Sequence, residues 1–141
     1  MIRIITLNLN GIRSAARKGL LPWLEAQKAD VFCVQEIKAH EADLDASLLA
    51  PAGLKGHFHF AQRPGYSGVG VYSRKKPKSV RIGFGDPEFD AEGRYVEADF
   101  GAFTVVSMYL PSGSSSPERQ QAKFRFMKSF AAHLQELGRC G

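Results

Sequence analysis

The sequence predicts a mixed α/β fold, and three observations carry that expectation. The chain opens as strand, helix, strand, the unit that lays two neighbouring strands parallel. Later, residues 95–100 and 103–109 flank Gly101-Ala102 as a hairpin, and residues 117–137 follow as a long amphipathic helix. No repeat, low-complexity tract or linker divides the 141 residues, 44% of them hydrophobic, so the chain has the size and composition of one packed unit.

The first strand, 2–9, is dominated by β-branched residues and stops at the turn signal Asn10-Gly11. From 16 to 26 the apolar Leu20, Leu21, Trp23 and Leu24 share a helical face. Pro22 is disruptive in a helix interior and tolerated in a first turn, which leaves a helix start near Pro22 open. Residues 31–36, Val-Phe-Cys-Val-Gln-Glu, read as a buried strand that ends in an amide and a carboxylate. An unpaired buried carboxylate would lose its hydration or take up a proton. Glu36 is therefore expected at the strand's carboxyl end, where open sheets hold their ligands.

A short helix is predicted at 43–49, closed by Pro51 and Gly53, and a strand at 57–61. The glycine-rich bend 65–70 feeds a strand at 69–73; a basic turn at 74–78 leads to a strand at 79–82. The acidic, turn-rich stretch 83–93 reads as a loop. Within the hairpin, 103–109 is apolar nearly throughout and is expected to be a central strand. Residues 110–116 are a loop, and Pro117 opens the last helix, with Phe124, Met127, Phe130, Ala131 and Leu134 as its apolar stripe. The expected sheet mixes parallel and antiparallel neighbours.

The net charge of +5 suits a polyanionic partner such as nucleic acid, although many ordinary proteins are as basic. Two cysteines, one inside a strand, point to a reducing compartment and a buried thiol at Cys33. No segment approaches the ~18 apolar residues of a membrane span. The first residues lack the apolar centre and cleavage site of a signal peptide, so a cytoplasmic location is expected.

Asn8 and Asn10 end the first strand and Glu36 ends the second; neighbouring strands would bring all three to one rim. Mg²⁺ takes oxygen ligands, often one or two protein carboxylates, and keeps other positions for water and phosphate. The plainer alternatives are a turn at Asn10-Gly11 and an exposed charge at Glu36. Tyr66, among small residues, is expected at an exposed loop tip suited to a nucleic-acid groove. Arg94 suits either a phosphate or a surface ion pair with Glu92 or Asp90. The Arg74, Lys75, Lys76, Lys78, Arg81 group reads first as a solvated turn that blunts a sheet edge. Tyr109 should emerge at the same rim as Glu36, where a phenol can donate to a phosphoryl oxygen. His40, His57, His59 and His133 show no ligand spacing and read as structural.

Taken together, Leu-Asn-Leu-Asn-Gly-Ile-Arg (7–13), Val-Gln-Glu-Ile-Lys (34–38), Gly-Tyr-Ser-Gly-Val-Gly (65–70), Glu-Gly-Arg-Tyr (92–95) and Tyr-Leu-Pro-Ser-Gly (109–113) resemble the exodeoxyribonuclease III family of DNA repair nucleases. That family, which includes the abasic-site (AP) endonucleases, lies within the exonuclease, endonuclease and phosphatase superfamily. The resemblance implies a Mg²⁺-dependent enzyme, with Mn²⁺ as an alternative, that cuts double-stranded DNA 5′ of abasic sites and trims 3′ ends. It implies Glu36 as metal ligand, Asn10 as its helper, Asn8 as an orienting group and Tyr109 facing the scissile phosphate. Lys38, Gly65, Tyr66, Arg94 and Ser112 match positions that line or contact DNA, and a flipped-out abasic sugar is the expected recognition mode. Some relatives carry Asp where Asn10 stands and another polar residue at Ser112.

The family fold is a four-layer α/β/β/α sandwich of two similar halves, and residues 1–141 resemble the first. Motifs of the carboxy-terminal half, Gly-Asp-x-Asn and Ser-Asp-His, are absent from this sequence. The chain is therefore expected to be inactive or nearly so, to lack a partner for its apolar sheet face, and to have the missing half as a partner. A fragment that binds DNA or a partner without cutting is the alternative; phosphatase or lipid phosphodiesterase chemistry is disfavoured by the 65–70 and 92–95 motifs.

Overall fold

The computed structural model describes residues 1–140. Strand β1 (Ile4–Asn8), helices α1 (Ile12–Arg17) and α2 (Leu20–Gln27) and strand β2 (Val31–Gln35) open the chain. β1 and β2 are parallel, with Ile4 opposite Val31 and Asn8 opposite Gln35. Helix α3 (Ala46–Leu49) precedes β3 (Lys55–His59) and β4 (Val69–Ser73), which complete a mixed sheet in the order β1-β2-β4-β3. A second, antiparallel sheet is formed by β5 (Ser79–Ile82), β6 (Tyr95–Asp99) and β7 (Thr104–Met108), in that order. Helices α4 (Pro87–Asp90) and α5 (Pro117–Cys140) belong to this second half.

Strand β2 explains the layering, because it is buried on both faces. Val31 and Cys33, with Val69 and Val71, meet Val96, Ala98 and Val105 of the second sheet. Phe32 and Val34 turn the other way, against Ile12, Leu20 and Leu24 of α1 and α2. On the far side of the second sheet, Phe84, Phe89 and Tyr95 close on Phe126 of α5. The order of layers is α/β/β/α. The expectation of an apolar sheet face without a partner is thereby corrected: the two sheets already cover each other.

Other expectations are also revised. The helix placed at 16–26 is α2, which begins at Leu20 with Pro22 in its first turn, and α1, separated from it by Lys18-Gly19, lies mostly before the predicted span. The 83–93 loop contains α4, capped by the Asp86 side chain on the Glu88 N–H. β3 begins two residues before the predicted 57–61, and a 3₁₀ turn (Glu41–Asp43) precedes α3. Strand β7 lies at the edge of its sheet, not in the centre. Its apolar residues serve two covered faces, Val105 towards the first sheet and Val106 and Met108 towards α5. In α5 the buried face runs through Ala122 and Phe126, with Phe130 packed alongside; Phe124, Met127 and Leu134 of the predicted stripe face outward.

The histidines are structural where partners define them: His40 meets the Ala61 carbonyl, His59 that of Tyr95, and His133 the Tyr95 hydroxyl. Cys33 is buried, and burial pushes its thiol up to about 11. Among the described residues no helix is long and apolar enough to cross a membrane.

Candidate active site

Three backbone turns tie the carboxyl ends of β1 and β2 into one rim. The Gly11 N–H donates to the Glu36 carbonyl (2.8 Å) and the Ile12 N–H to that of Ile37 (3.0 Å). From the other side the Lys38 N–H donates to Ser67 O (2.8 Å) and the Ile37 N–H to Gly68 O (3.1 Å). Asn10, Glu36 and Lys38 all take left-handed backbone angles, φ 46°, 53° and 50°. Non-glycine residues rarely adopt that region, and such strain persists where the surroundings impose it, often at functional sites.

These turns aim the side chains at each other. The Tyr109 hydroxyl donates to Glu36 Oε1 at 2.7 Å. Lys38 Nζ stands 2.7 Å from Asn10 Oδ1 and 3.4 Å from Glu36 Oε2. Asn8 Oδ1 accepts the Asn10 N–H at 3.0 Å, and the Asn8 side chain lies close enough to Glu36 to lower its pKa. Glu36, Asn8, Asn10 and Tyr109 thus converge as the parallel β1–β2 pairing predicts, with Lys38 among them. The Lys38 ammonium already occupies a position shared by two oxygens, so Asn10 and Glu36 can hold one cation between them. Among the described residues no cluster of three or more His, Cys, Asp or Glu side chains is placed to hold a metal ion.

Burial acts to raise the Glu36 pKa, but hydrogen bonds from Tyr109, Asn8 and Lys38 and the Lys38 charge outweigh it and hold the carboxyl below its ordinary value. A lowered folded-state pKa contributes stability above the unfolded value, and the contribution is lost as pH falls through the lowered one. Urea titrations between about pH 6 and about pH 3 are expected to show a steeper acid loss of stability in the native chain than in Glu36→Gln. Equal slopes would remove Glu36 from the acid response. Tyr109 shifts the opposite way: burial, the hydrogen bond to Glu36 and the Glu36 charge push its phenol up to about 12, against the nearby Arg94 charge. At neutral pH it is a protonated donor.

A second cluster supports Tyr109 from beneath. Arg94 is 1% exposed, so the expected surface ion pair is instead a buried one. Its Nε donates to Glu92 Oε2 at 2.7 Å, Nη1 to the Tyr109 carbonyl at 3.1 Å and Nη2 to the Tyr66 hydroxyl at 2.8 Å. The guanidinium carbon lies 5.2 Å from the Tyr109 ring centre and 5.7 Å from that of Tyr66. Tyr66 is accordingly half-buried and anchored, not an exposed loop tip. Gly65 beside it is exposed, as is Ser112, whose hydroxyl meets Ser114 at 3.0 Å. Lys38, Gly65, Tyr66, Arg94 and Ser112 therefore occupy different depths.

Sequence reasoning named Glu92 as a surface partner of Arg94, but missed that the pair is buried and that Glu92 also accepts from the Tyr66 hydroxyl. It also missed Arg119 in the first turn of α5, which reaches Tyr66 and Glu92 at 3.5 and 3.9 Å across a long loop. Gln35, whose amide donates to Thr6 and Ser107, stitches β1, β2 and β7 just below Glu36.

The sequence profile of the Endonuclease/Exonuclease/phosphatase family matches residues 5–137. The chain belongs to that family. An exodeoxyribonuclease of Bacillus subtilis (strain 168) is 31% identical over 137 residues, which make up 96% of this chain and 53% of the relative. A DNA-(apurinic or apyrimidinic site) endonuclease of Dictyostelium discoideum is 30% identical over 139 residues, covering 96% of this chain and 38% of its own length. An AP endonuclease structure from Archaeoglobus fulgidus superposes with a TM-score of 0.83 at 27% identity, over 96% of this chain and 52% of that one. The chain thus spans about half the length, or less, of these relatives. Within the family its resemblance is to the exodeoxyribonuclease and AP endonuclease group of DNA repair nucleases, of which it matches about half the length.

Proposed function

We propose that residues 1–141 are the amino-terminal part of an endonuclease/exonuclease/phosphatase domain whose complete form is a Mg²⁺-dependent DNA repair nuclease, acting at abasic sites and 3′ ends. The observation that carries this reading is the convergence at one rim of Glu36, Asn8, Asn10 and Lys38 on a neutral Tyr109 that donates to Glu36 at 2.7 Å. One carboxylate and one amide oxygen suit a hard cation, Mg²⁺ or Mn²⁺, that leaves its remaining positions to water and phosphate. When bound, the ion supplies charge neutralisation at the phosphate.

Glu36 and Asn10 hold that ion. Asn8 fixes the Asn10 backbone and orients Glu36. The single phenolic proton of Tyr109, which Glu36 now accepts, would turn to a phosphoryl oxygen when the carboxylate is engaged by an ion. Gly65, Tyr66, Lys38 and Ser112 face the duplex, and Arg94 sets the position of Tyr66 from below. The chain by itself is expected to be inactive or nearly so, because residues 1–141 do not contain the Gly-Asp-x-Asn and Ser-Asp-His motifs to which the family resemblance assigns the positioning of the water and the phosphate.

Two measurements test the reading. Mn²⁺ binding followed by electron paramagnetic resonance is expected for the native chain and is lost in Glu36→Gln; binding unaffected by that change would overturn the ligand assignment. An abasic-site duplex with Mg²⁺ is expected to be cut at least about a thousandfold more slowly than by the DNA-(apurinic or apyrimidinic site) endonuclease of Dictyostelium discoideum. Comparable turnover would overturn the proposed inactivity.

A further inference from the structure

The end of the first sheet away from Glu36 gathers cations. Lys28 closes α2 just before β2, Lys55 opens β3, and Arg74, Lys75, Lys76 and Lys78 lie in the turn from β4 to β5. Ser73 stands opposite both Val31 and Lys55 in the sheet register, so these positions share one end of the sheet. All six cationic residues are exposed. Strand β4 separates this end from the Glu36 rim: Gly68, just before it, accepts the Ile37 N–H, and Arg74 follows its last residue. Its five residues, at about 3.3 Å each, put the two surfaces about 17 Å apart and facing opposite ways.

The turn that displays most of this charge is fastened along its length. The Arg74 N–H donates to the Asp30 carbonyl at 3.1 Å, Ser73 Oγ to that of Lys75 at 2.7 Å, and the Lys78 N–H to that of Asp99 at 2.7 Å. Arg74 Nε donates to the Ala29 carbonyl at 3.0 Å, tying the turn to the start of β2. Pro77 is buried, while Lys75, Lys76 and Lys78 stand in solvent. The carboxylates set in these strand ends are engaged by backbone: Asp30 Oδ2 accepts the Arg3 N–H at 2.8 Å, and Asp99 Oδ1 the Gly101 N–H at 2.7 Å. Among the described residues no carboxylate oxygen lies within 4.0 Å of any of the six cationic heads, whereas Arg13, Lys38, Arg94, Arg119 and Arg125 each have one.

Like charges fixed this close, with no carboxylate among them, set up a positive field that a polyanion neutralises. A protein partner calls for an apolar centre, and lysine is depleted in such interfaces. Nucleic-acid backbone calls only for positive charge, and its protein interfaces are far more positively charged. We propose that the Lys28, Lys55 and Arg74–Lys78 end of the sandwich is a second, sequence-independent surface for the phosphate backbone of nucleic acid, apart from the Glu36 rim. Lysine heads neutralise phosphates without fixing a base sequence. A straight duplex on the rim cannot also lie on the opposite end, so the segment held there is a different one. Arg81 of the same basic stretch is not part of the surface, because it stands opposite Glu97 within the second sheet. Binding at this end needs nothing of the proposed metal site.

Fluorescence anisotropy with a short undamaged DNA duplex, free of divalent ions, tests this on the 141-residue chain. The triple variant Lys75→Ala, Lys76→Ala, Lys78→Ala is expected to bind at least about tenfold more weakly at low salt, with a log-log salt slope smaller by about 3. Lys128→Ala with Arg139→Ala, both exposed on α5, also removes positive charge and is expected to change affinity by less than about twofold. Amide NMR shifts on adding the duplex to the native chain are expected at Lys55, Lys75, Lys76 and Lys78 as well as at the Glu36 rim. Unchanged affinity and slope in the triple variant, or shifts confined to the rim, overturns the surface. So does binding of phosphatidylserine vesicles through these lysines while the duplex leaves their amides unmoved. Shifts at these lysines with none at the rim uphold the surface and count instead against Gly65 and Tyr66 facing the duplex.

Discussion

Arg94→Ala is expected to lower folding stability by about 3–5 kcal/mol, because it removes one partner of a buried ion pair and leaves the other behind. Arg94 is 1% exposed, and its fork is shared among Glu92, the Tyr66 hydroxyl and the Tyr109 carbonyl. Truncation strands the Glu92 carboxylate, whose side chain is 19% exposed, and vacates the space between two tyrosine rings. Replacing both partners, as Glu92→Gln with Arg94→Met, is expected to recover much of the loss, since no buried charge is then left unpaired and Arg119, which also faces Glu92, is one-third exposed and can be solvated. Urea denaturation of the two single variants and the double variant closes the cycle. A single-variant loss under about 1 kcal/mol would class the pair with exposed ion pairs and remove the reason for Tyr66 to stay anchored. On the proposed reading of Tyr66 as DNA-facing, duplex DNA binding at low salt is expected to weaken together with stability, since Tyr66 loses the donor that fixes its ring.

The Arg94 cluster also marks where sequence reading stops. The 31–36 run was legible because a strand covered on both faces must be apolar at successive positions, and a carboxylate must then leave the core. Glu36, Asn8, Asn10 and Tyr109 followed from that step and from the parallel pairing of the first two strands. What could not be read was depth. Arg94 and Tyr66 sit among polar and small residues that suggest a surface, yet Glu92, two positions before Arg94 and 26 after Tyr66, binds both, and Arg119 of α5 reaches Tyr66 from 53 residues away. The apolar run of β7 likewise announced two covered faces, which the sequence alone does not distinguish from two paired neighbours. Helix α5 carries two apolar stripes, Phe124-Met127-Leu134 and Ala122-Phe126-Phe130, and only the position of the second sheet decides which is buried. Helix α1 was missed because its short apolar content, Ile12, Ala15 and Ala16, is interleaved with Arg13, Ser14 and Arg17.

Gly93→Ala is expected to cost about 3 kcal/mol or more and to disturb the rim from outside it. Gly93 has φ 62°, and a Cβ there would lie 2.5 Å from the Ala61 nitrogen, 2.6 Å from the Phe60 carbonyl carbon and 2.7 Å from the His59 oxygen. All three atoms are backbone just at and beyond the end of β3, so none can rotate aside; β3 and the 92–94 turn must separate. That turn carries Glu92 and Arg94, and its Gly93 carbonyl accepts the Gly68 N–H at 3.1 Å, so separation also loosens the loop that presents Tyr66. Gly65 provides the control. Its φ is 65°, but a Cβ there meets nothing within 4 Å, so Gly65→Ala pays only the left-handed backbone penalty of about 1–2 kcal/mol. Urea midpoints of the two variants separate strain from collision, and equal losses would mean that β3 and the turn yield freely at Gly93. A large loss at Gly93 alone would tie the anchoring of Tyr66 to the close crossing of two backbones.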